Sequence, residues 1–82
     1  MLTVKEARDL AIANCEEFKI GLKEVEEHIK FAAGRGLFEV KVPIGKQWRG
    51  YECVISTYCS DVFGFLSNVG QDELYFEWYR IK

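Results

Sequence analysis

The sequence predicts an α+β fold of two layers, in which the helices cover one face of a three-stranded mixed sheet. Three observations lead to this prediction. Apolar residues recur at helical spacing through residues 3–33, apolar and charged residues alternate over 38–42, and ten of the twelve aromatic residues follow residue 33. The predicted order is therefore a long N-terminal helix, then strand, helix, strand and strand.

The length and composition indicate one globular domain spanning 1–82. Two separate cores would each be too small to be stable in a chain of 82 residues. An apolar share of 49% with a net charge of −2 is unlike a disordered chain. No run of apolar residues is long enough to predict a membrane-spanning helix. A secretory signal is not predicted either, because the sequence does not open with a basic and apolar leader. Three cysteines without Cys-x-x-Cys spacing are expected to be free thiols in a reducing cytoplasm.

The first helix is predicted from its N-cap and its apolar stripe. Thr3 and Glu6 have the spacing of a capping box, in which each side chain binds the backbone N–H of the other. Gly34 and Gly36 supply the C-terminal stop. We expect one continuous helix over 3–33, bent at most at Gly21. The stripe consists of apolar residues at steps of three and four: Val4, Ala7, Ala11, Cys15, Phe18, Leu22, Val25, Ile29 and Ala32.

The second half of the chain predicts three strands and one further helix. The alternating segment 38–42 is typical of a half-buried strand, and helical spacing of aromatic and aliphatic residues predicts a helix over 47–63 that ends at Gly64. A hairpin with strands 65–68 and 73–81 follows. Because a strand–helix–strand unit has parallel strands and a hairpin antiparallel ones, we expect a mixed sheet with the last strand central. The side chains expected to face the core from that strand are Leu74, Phe76 and Trp78.

Five segments carry a resemblance to a known class of proteins. They are 3–7 (TVKEA), 32–36 (AAGRG), 38–42 (FEVKV), 64–65 (GF) and 74–78 (LYFEW). In this order they make the chain similar to small uncharacterised accessory proteins of tailed bacteriophages, over most of its length and at the level of architecture. The resemblance implies a phage-encoded protein in the host cytoplasm, and it carries over no catalytic residue. The second predicted helix departs from the class, because it is richer in β-branched and aromatic residues.

Two surfaces are predicted to bind proteins. Tyr75, Tyr79 and Ile81 fall on the strand face turned away from the helices, and aromatic side chains on an exposed face favour contact with a host or viral protein. A helix over 3–33 would be about 45 Å long, which exceeds the roughly 30 Å diameter of a compact chain of this length. Its projecting end would leave an apolar face for self-association, most simply as a dimer. That face consists of Val4, Ala7, Leu10 and Ala11.

A third surface is the basis of an alternative function. Segment 35–49 is locally basic and includes a tryptophan, so it predicts a site for nucleic acid or a nucleotide ligand. The residues assigned to it are Arg35, Lys46, Trp48 and Arg49. With Lys41 the segment has four basic side chains, which are few for such a site, and the whole chain is slightly acidic. A solvated loop is therefore the preferred interpretation, and a nucleic-acid partner is not favoured.

No set of residues in the sequence predicts catalysis, a cofactor or a metal ion. The single histidine, His28, lies in a charged helical stretch and is expected to be a solvated residue of the helix surface. Zinc requires three or four ligands at short spacings, and neither His28 nor the three cysteines supply them. No nucleophile has a base or an acid at a motif spacing. We therefore predict a protein-binding or self-associating module without enzymatic activity, and no cofactor.

Overall fold

A computed structural model describes residues 1–78 and shows three α-helices and a three-stranded antiparallel sheet in this part of the chain. The predicted α+β class is confirmed, and so is the predicted order of strand, helix, strand and strand after residue 34. The elements are α1 (Val4–Ala13), α2 (Glu16–Gly34), β1 (Glu39–Pro43), a 3₁₀ turn (Lys46–Trp48), α3 (Glu52–Phe63), β2 (Leu66–Val69) and β3 (Glu73–Glu77).

The prediction of one helix over 3–33 is wrong, because the chain breaks between α1 and α2. Asn14 closes α1 and its side-chain amide donates to the carbonyl of Leu10 at 2.9 Å. Cys15 is extended and serves as the N-cap of α2. Asparagine hydrogen-bonds its local backbone in this way and so competes with helix continuation. The apolar stripe keeps its phase across these two residues, which is why periodicity alone did not detect the break.

The capping box at the start of α1 is confirmed. The backbone N–H of Glu6 donates to the Thr3 hydroxyl at 3.1 Å, and the backbone N–H of Thr3 donates to the Glu6 carboxylate at 3.0 Å. The first bond pairs one of the N–H groups that have no partner within the first turn of α1. The second holds the Glu6 carboxylate against that turn. The hydrogen bond from the Thr3 backbone also lowers the pKa of Glu6.

The sheet order is β1-β3-β2, and both pairings are antiparallel. The central position predicted for the last strand is confirmed, whereas the prediction of a mixed sheet is wrong. β1 and β2 do run in the same direction, but β3 lies between them and they never pair. Each bonds only to a strand of opposite direction, so the central position of β3 is what makes the sheet wholly antiparallel.

The second helix is shorter than the predicted span 47–63. Residues 46–48 form a single 3₁₀ turn, and α3 begins only at Glu52. Gly50 has a positive φ of 102°, a conformation that an α-helix does not contain, so the helix cannot extend back to Trp48. The predicted stop at Gly64 is confirmed, since this residue is left-handed with φ of 78°.

The core lies between the sheet and the two longer helices. Its best-buried side chains are Phe18, Val25, Val42, Trp48, Ile55, Cys59, Leu74 and Phe76. Leu74 and Phe76 therefore face the core as predicted. Trp78 differs, because it is only partly buried at the end of β3, with its ring 6.0 Å from that of Phe65. On the side of α3, the Ser56 and Ser67 hydroxyls are 2.7 Å apart and link the helix to β2.

Trp48 fills the space against α2, and Gly21 makes that approach feasible. Gly21 is buried within α2, and a Cβ atom placed on it would come within 2.9 Å of the Trp48 ring. The indole Nε1–H of Trp48 donates to the Glu24 carboxylate at 3.1 Å, one turn further along the same helix. A buried indole N–H needs such a partner. Gly21 and Glu24 together therefore determine how Trp48 sits in the core.

Candidate interaction surfaces

The α1 helix touches the rest of the molecule with one side only. It has no buried residue, and Ile12 is the aliphatic side chain that it packs partly against the core. The predicted self-association residues Val4, Ala7, Leu10 and Ala11 are all exposed, with Val4 at 84% and Leu10 at 56% of full accessibility. Helical spacing places these four on one side of α1, next to the side that carries Ile12. The structure thus brings the predicted residues together as an exposed apolar face, called here the α1 face.

Arg8 fastens α1 to α3. Its guanidinium lies 5.7 Å from the centre of the Tyr58 ring and 3.6 Å from the carboxylate of Asp61. Tyr58 in turn packs edge-on against Phe18 of α2, with ring centres 5.3 Å apart. Asp61 is well exposed, so solvent weakens the ion pair and the packing over the ring accounts for more of the attachment. Because α1 is held by few contacts, its orientation is fixed largely by Arg8 and Ile12.

The outer face of the sheet carries one of the three residues predicted to bind a partner. Tyr75 is half-buried there, and its hydroxyl donates to Glu39 and, at 3.3 Å, to Glu77. The hydrogen bond to Glu39, followed by burial and the charge of the two carboxylates, raises the pKa of Tyr75. The hydroxyl is therefore already engaged by the two carboxylates. Tyr79 and Ile81 lie outside the described residues.

The basic residues of segment 35–49 do not form one patch. Trp48 is fully buried, and Arg49 lies 3.4 Å from the carboxylate of Asp72 in an exposed ion pair. Arg35 follows the C-terminus of α2 and packs over the Phe31 ring at 5.5 Å. Arg35 comes eleven residues after Glu24, the residue that binds Trp48. This separation corresponds to about 16 Å along the helix axis. Lys46, in the 3₁₀ turn next to Trp48, is thus well separated from Arg35.

An apolar groove between α2 and α3 was not predicted from the sequence. Its volume is about 380 Å³, and it is lined by Leu22, Val25, Glu26, Ile29, Cys59, Phe63 and Phe65. Glu26 is its one charged lining residue. Burial, with a smaller effect of the Glu26 charge, raises the pKa of the Cys59 thiol to about 11. Cys59 is therefore a neutral, unreactive part of the groove wall at physiological pH.

The residues considered for metal binding and nucleophilic catalysis are dispersed. Among residues 1–78, no three His, Cys, Asp or Glu side chains are grouped so that they could hold a metal ion. The three cysteines are free, and His28 donates from Nδ1 to the carbonyl of Glu24 at 2.7 Å within its own helix. The helices described here are also too short or too polar to cross a membrane.

The sequence also contains a long segment with little charge that was not predicted to be functional. The 19 residues from Cys53 to Gln71 contain a single charged side chain, Asp61, although 29% of the whole chain is charged. This segment forms most of α3 and all of β2. Val62, Phe63, Leu66 and Val69 are among its exposed side chains. The local scarcity of charge was visible in the sequence, but only the fold shows which of these residues are exposed.

Comparison with known proteins adds no relative. No family model matches the chain, and neither the curated proteins nor the solved structures yield a match.

Proposed function

We propose that this chain is a small accessory module that binds proteins and associates with itself through the α1 face, without chemistry of its own. The observation that carries the proposal is the set of exposed apolar side chains on a helix that buries none of its residues. Burial of apolar surface contributes about 25 cal/mol per Å². Two copies that cover each other's α1 faces gain this contribution, and a two-fold dimer is the commonest arrangement.

The size of the exposed surface supports a binding role. The molecule exposes 6028 Å². A compact monomer of 9.5 kDa exposes about 5,000 Å² by the usual scaling of surface with mass. The larger exposed surface goes with the flat shape of the molecule, whose extents are 43 × 33 × 21 Å, and a flat molecule presents broad faces to a partner.

The remaining features of the proposal rest on the sequence. The resemblance to accessory proteins of tailed bacteriophages supports a phage-encoded protein, and three free cysteines support a reducing cytoplasm. Tyr75, with Tyr79 and Ile81, is the proposed contact for a host or viral protein. Alternation along β3 supports the assignment of Tyr75, since its side chain lies on the face opposite the buried Leu74 and Phe76.

Self-association through the α1 face is tested with a matched pair of substitutions. Ala7→Glu places a charge on the α1 face, whereas Ala33→Glu places the same charge on an exposed site of α2. Multi-angle light scattering at micromolar to submillimolar concentration then reports the mass. We expect Ala7→Glu to lower the mass of the assembly and Ala33→Glu to leave it unchanged. Equal masses for the two variants and the parent protein would refute the role of the α1 face.

The alternative function, binding of nucleic acid or a nucleotide through Arg35, Lys46, Trp48 and Arg49, has less support. Burial of Trp48 removes its ring from stacking with a base, and Asp72 already pairs with Arg49. Filter binding with DNA, RNA and nucleotides at low salt distinguishes the two functions. We expect no retention. Retention that the double variant Lys46→Ala/Arg49→Ala abolishes would favour the alternative.

A further inference from the structure

The groove between α2 and α3 has the size and the lining of a small-molecule site. Its volume of about 380 Å³ falls in the range of roughly 300–1,000 Å³ that is usual for ligand pockets. Its lining residues come from α2, from α3 and from the segment just before β2. All of them are apolar except Glu26. Ligand sites combine an apolar wall with a few polar groups that orient the ligand, and this groove has both.

The walls of the groove are formed by packed side chains. Val25 and Cys59 belong to the buried core. The ring of Phe65 stands edge-on to two other aromatic rings, with its centre 6.2 Å from that of Phe76 and 6.0 Å from that of Trp78. The groove therefore exists before a ligand enters. A site that needs no rearrangement loses less free energy on binding than one that must first be ordered.

The groove is a poor site for water. A water molecule in a protein cavity needs about two to four polar partners. The neutral thiol of Cys59 is a weak hydrogen-bonding group, and the apolar lining side chains have none. Glu26 is therefore the one lining side chain with strong acceptors. Replacement of weakly held water by an apolar group is favourable, so the walls fit an apolar chain better than a polar molecule.

Glu26 stands within the row of α2 side chains that forms one wall. It comes four residues after Leu22 and three before Ile29, and residues at these spacings are neighbours on a helix surface. Its charge contributes to the raised pKa of the Cys59 thiol on the other wall. Both observations place the Glu26 carboxylate beside the apolar interior of the groove.

No cation of the described chain neutralises this carboxylate. The ion pairs found among residues 1–78 do not include Glu26. Lys23 and Lys30 have the helical spacing to reach it, yet neither lies within ion-pair distance. An ammonium group at this position would gain a charge-assisted hydrogen bond, whereas a carboxylate would be repelled. The charge of the groove is thus complementary to a cationic ligand.

We propose that the groove binds a small amphiphilic amine, with its apolar chain between α2 and α3 and its ammonium group against the Glu26 carboxylate. Such a ligand covers the apolar walls and supplies the missing cation. A fatty acid or an alcohol of the same length would cover the walls alone. The inference goes beyond the proposed function and does not depend on it, because no residue of the α1 face lines the groove.

Three probes of equal chain length test the choice of head group. Isothermal titration calorimetry is performed with decylamine, decanol and decanoate, each below its micelle concentration. Glu26→Gln removes the charge and keeps the shape of the side chain. Glu27→Gln is the matched control, because it removes the same charge from the next residue, which is exposed and does not line the groove.

We expect the parent protein and Glu27→Gln to bind decylamine about fivefold more tightly than decanol, the effect of a favourable exposed ion pair. Decanoate should bind more weakly than decanol. Glu26→Gln should bind decylamine and decanol equally. Equal binding of the three probes by the parent protein would overturn the proposal. A preference for the amine that survives Glu26→Gln, or that Glu27→Gln abolishes, would overturn it as well.

A second pair of variants locates the apolar chain of the ligand. Phe63→Ala removes part of the groove wall, whereas Val62→Ala shortens a neighbouring side chain of α3 that does not line the groove. Both side chains are exposed, so both variants should remain folded, which circular dichroism checks. Phe63→Ala should weaken all three probes by a common factor of about ten, and Val62→Ala should leave them unchanged. Undiminished binding by Phe63→Ala would overturn the assignment of the groove.

Other occupants of the groove give different results in the same titrations. If a second copy covers it, the affinity for decylamine falls as the protein concentration rises. If residues 79–82 cover it, decylamine binds the full-length variant Arg80→Gln/Lys82→Gln and not the parent protein. Either result would overturn the proposal. An affinity that is independent of protein concentration, and equal in the parent protein and this variant, supports it.

Discussion

Substitution of Gly21 by alanine tests the packing of Trp48 against α2. In most helices this change is stabilising, because alanine is favoured over glycine by about 0.8–1.0 kcal/mol in a helix interior. Here the new Cβ would lie 2.5 Å from Cδ1 of Ile55, and 2.8 and 2.9 Å from two ring carbons of Trp48. Distances this short require neighbouring atoms to move. The Ile55 terminus can rotate, whereas the indole is enclosed by the core and held by Glu24.

The two effects have opposite signs, and the steric effect is the larger one. Overpacking a core typically costs about 1–3 kcal/mol, and three contacts below 3 Å put Gly21→Ala near the upper end. After subtraction of the helix propensity, the expected loss of unfolding free energy is about 2 kcal/mol. For a chain of this size that corresponds to a decrease in Tm of roughly 8–16 °C.

Thermal and urea unfolding followed by circular dichroism measure this loss. Gly34→Ala is the matched control, because Gly34 belongs to the same helix and its Cβ would meet no atom within 4 Å. The control should be neutral or slightly stabilising. Ile55→Val, which removes one of the clashing atoms, should recover part of the loss when it is combined with Gly21→Ala. A Gly21→Ala protein as stable as the parent would refute the close approach of Trp48 to α2.

Two further predictions concern ionisable groups. Hydrogen bonding to Thr3 lowers the pKa of Glu6 below its ordinary 4.5, so its stabilisation of α1 should be complete above that pH and decrease as the pH falls below it. Amide exchange in the first turn of α1 should show this dependence, and Glu6→Gln should remove it, since glutamine can also form the capping box. Burial raises the pKa of Cys59 to about 11 while Cys53 is exposed, so iodoacetamide at pH 8 should modify Cys53 rapidly and Cys59 only on unfolding. Modification of Cys59 at the rate of Cys53 would contradict its burial.

The candidate sites were predictable to different degrees. The α1 face was visible in the sequence, because helical spacing identifies which residues share a side. The basic segment 35–49 was also visible as composition, but its residues are dispersed, since Trp48 belongs to the core and Arg35 lies at the far end of α2. The groove at Cys59 was missed. It is formed by residues distant in sequence, and no periodicity within one element indicates which elements become neighbours.

The sequence by itself determined the class of fold, the position of most helix and strand ends, and the inward side of the last strand. These depend on local effects: the capping box at Thr3, the left-handed Gly64 and the alternation that turns Leu74 and Phe76 inward. The tertiary structure alone decided the antiparallel pairing of β1 with β3 and the burial of Trp48 beside Gly21. These depend on which distant surfaces pack together. Packing energy summed over a core exceeds the preference of any single segment, so local patterns cannot predict them.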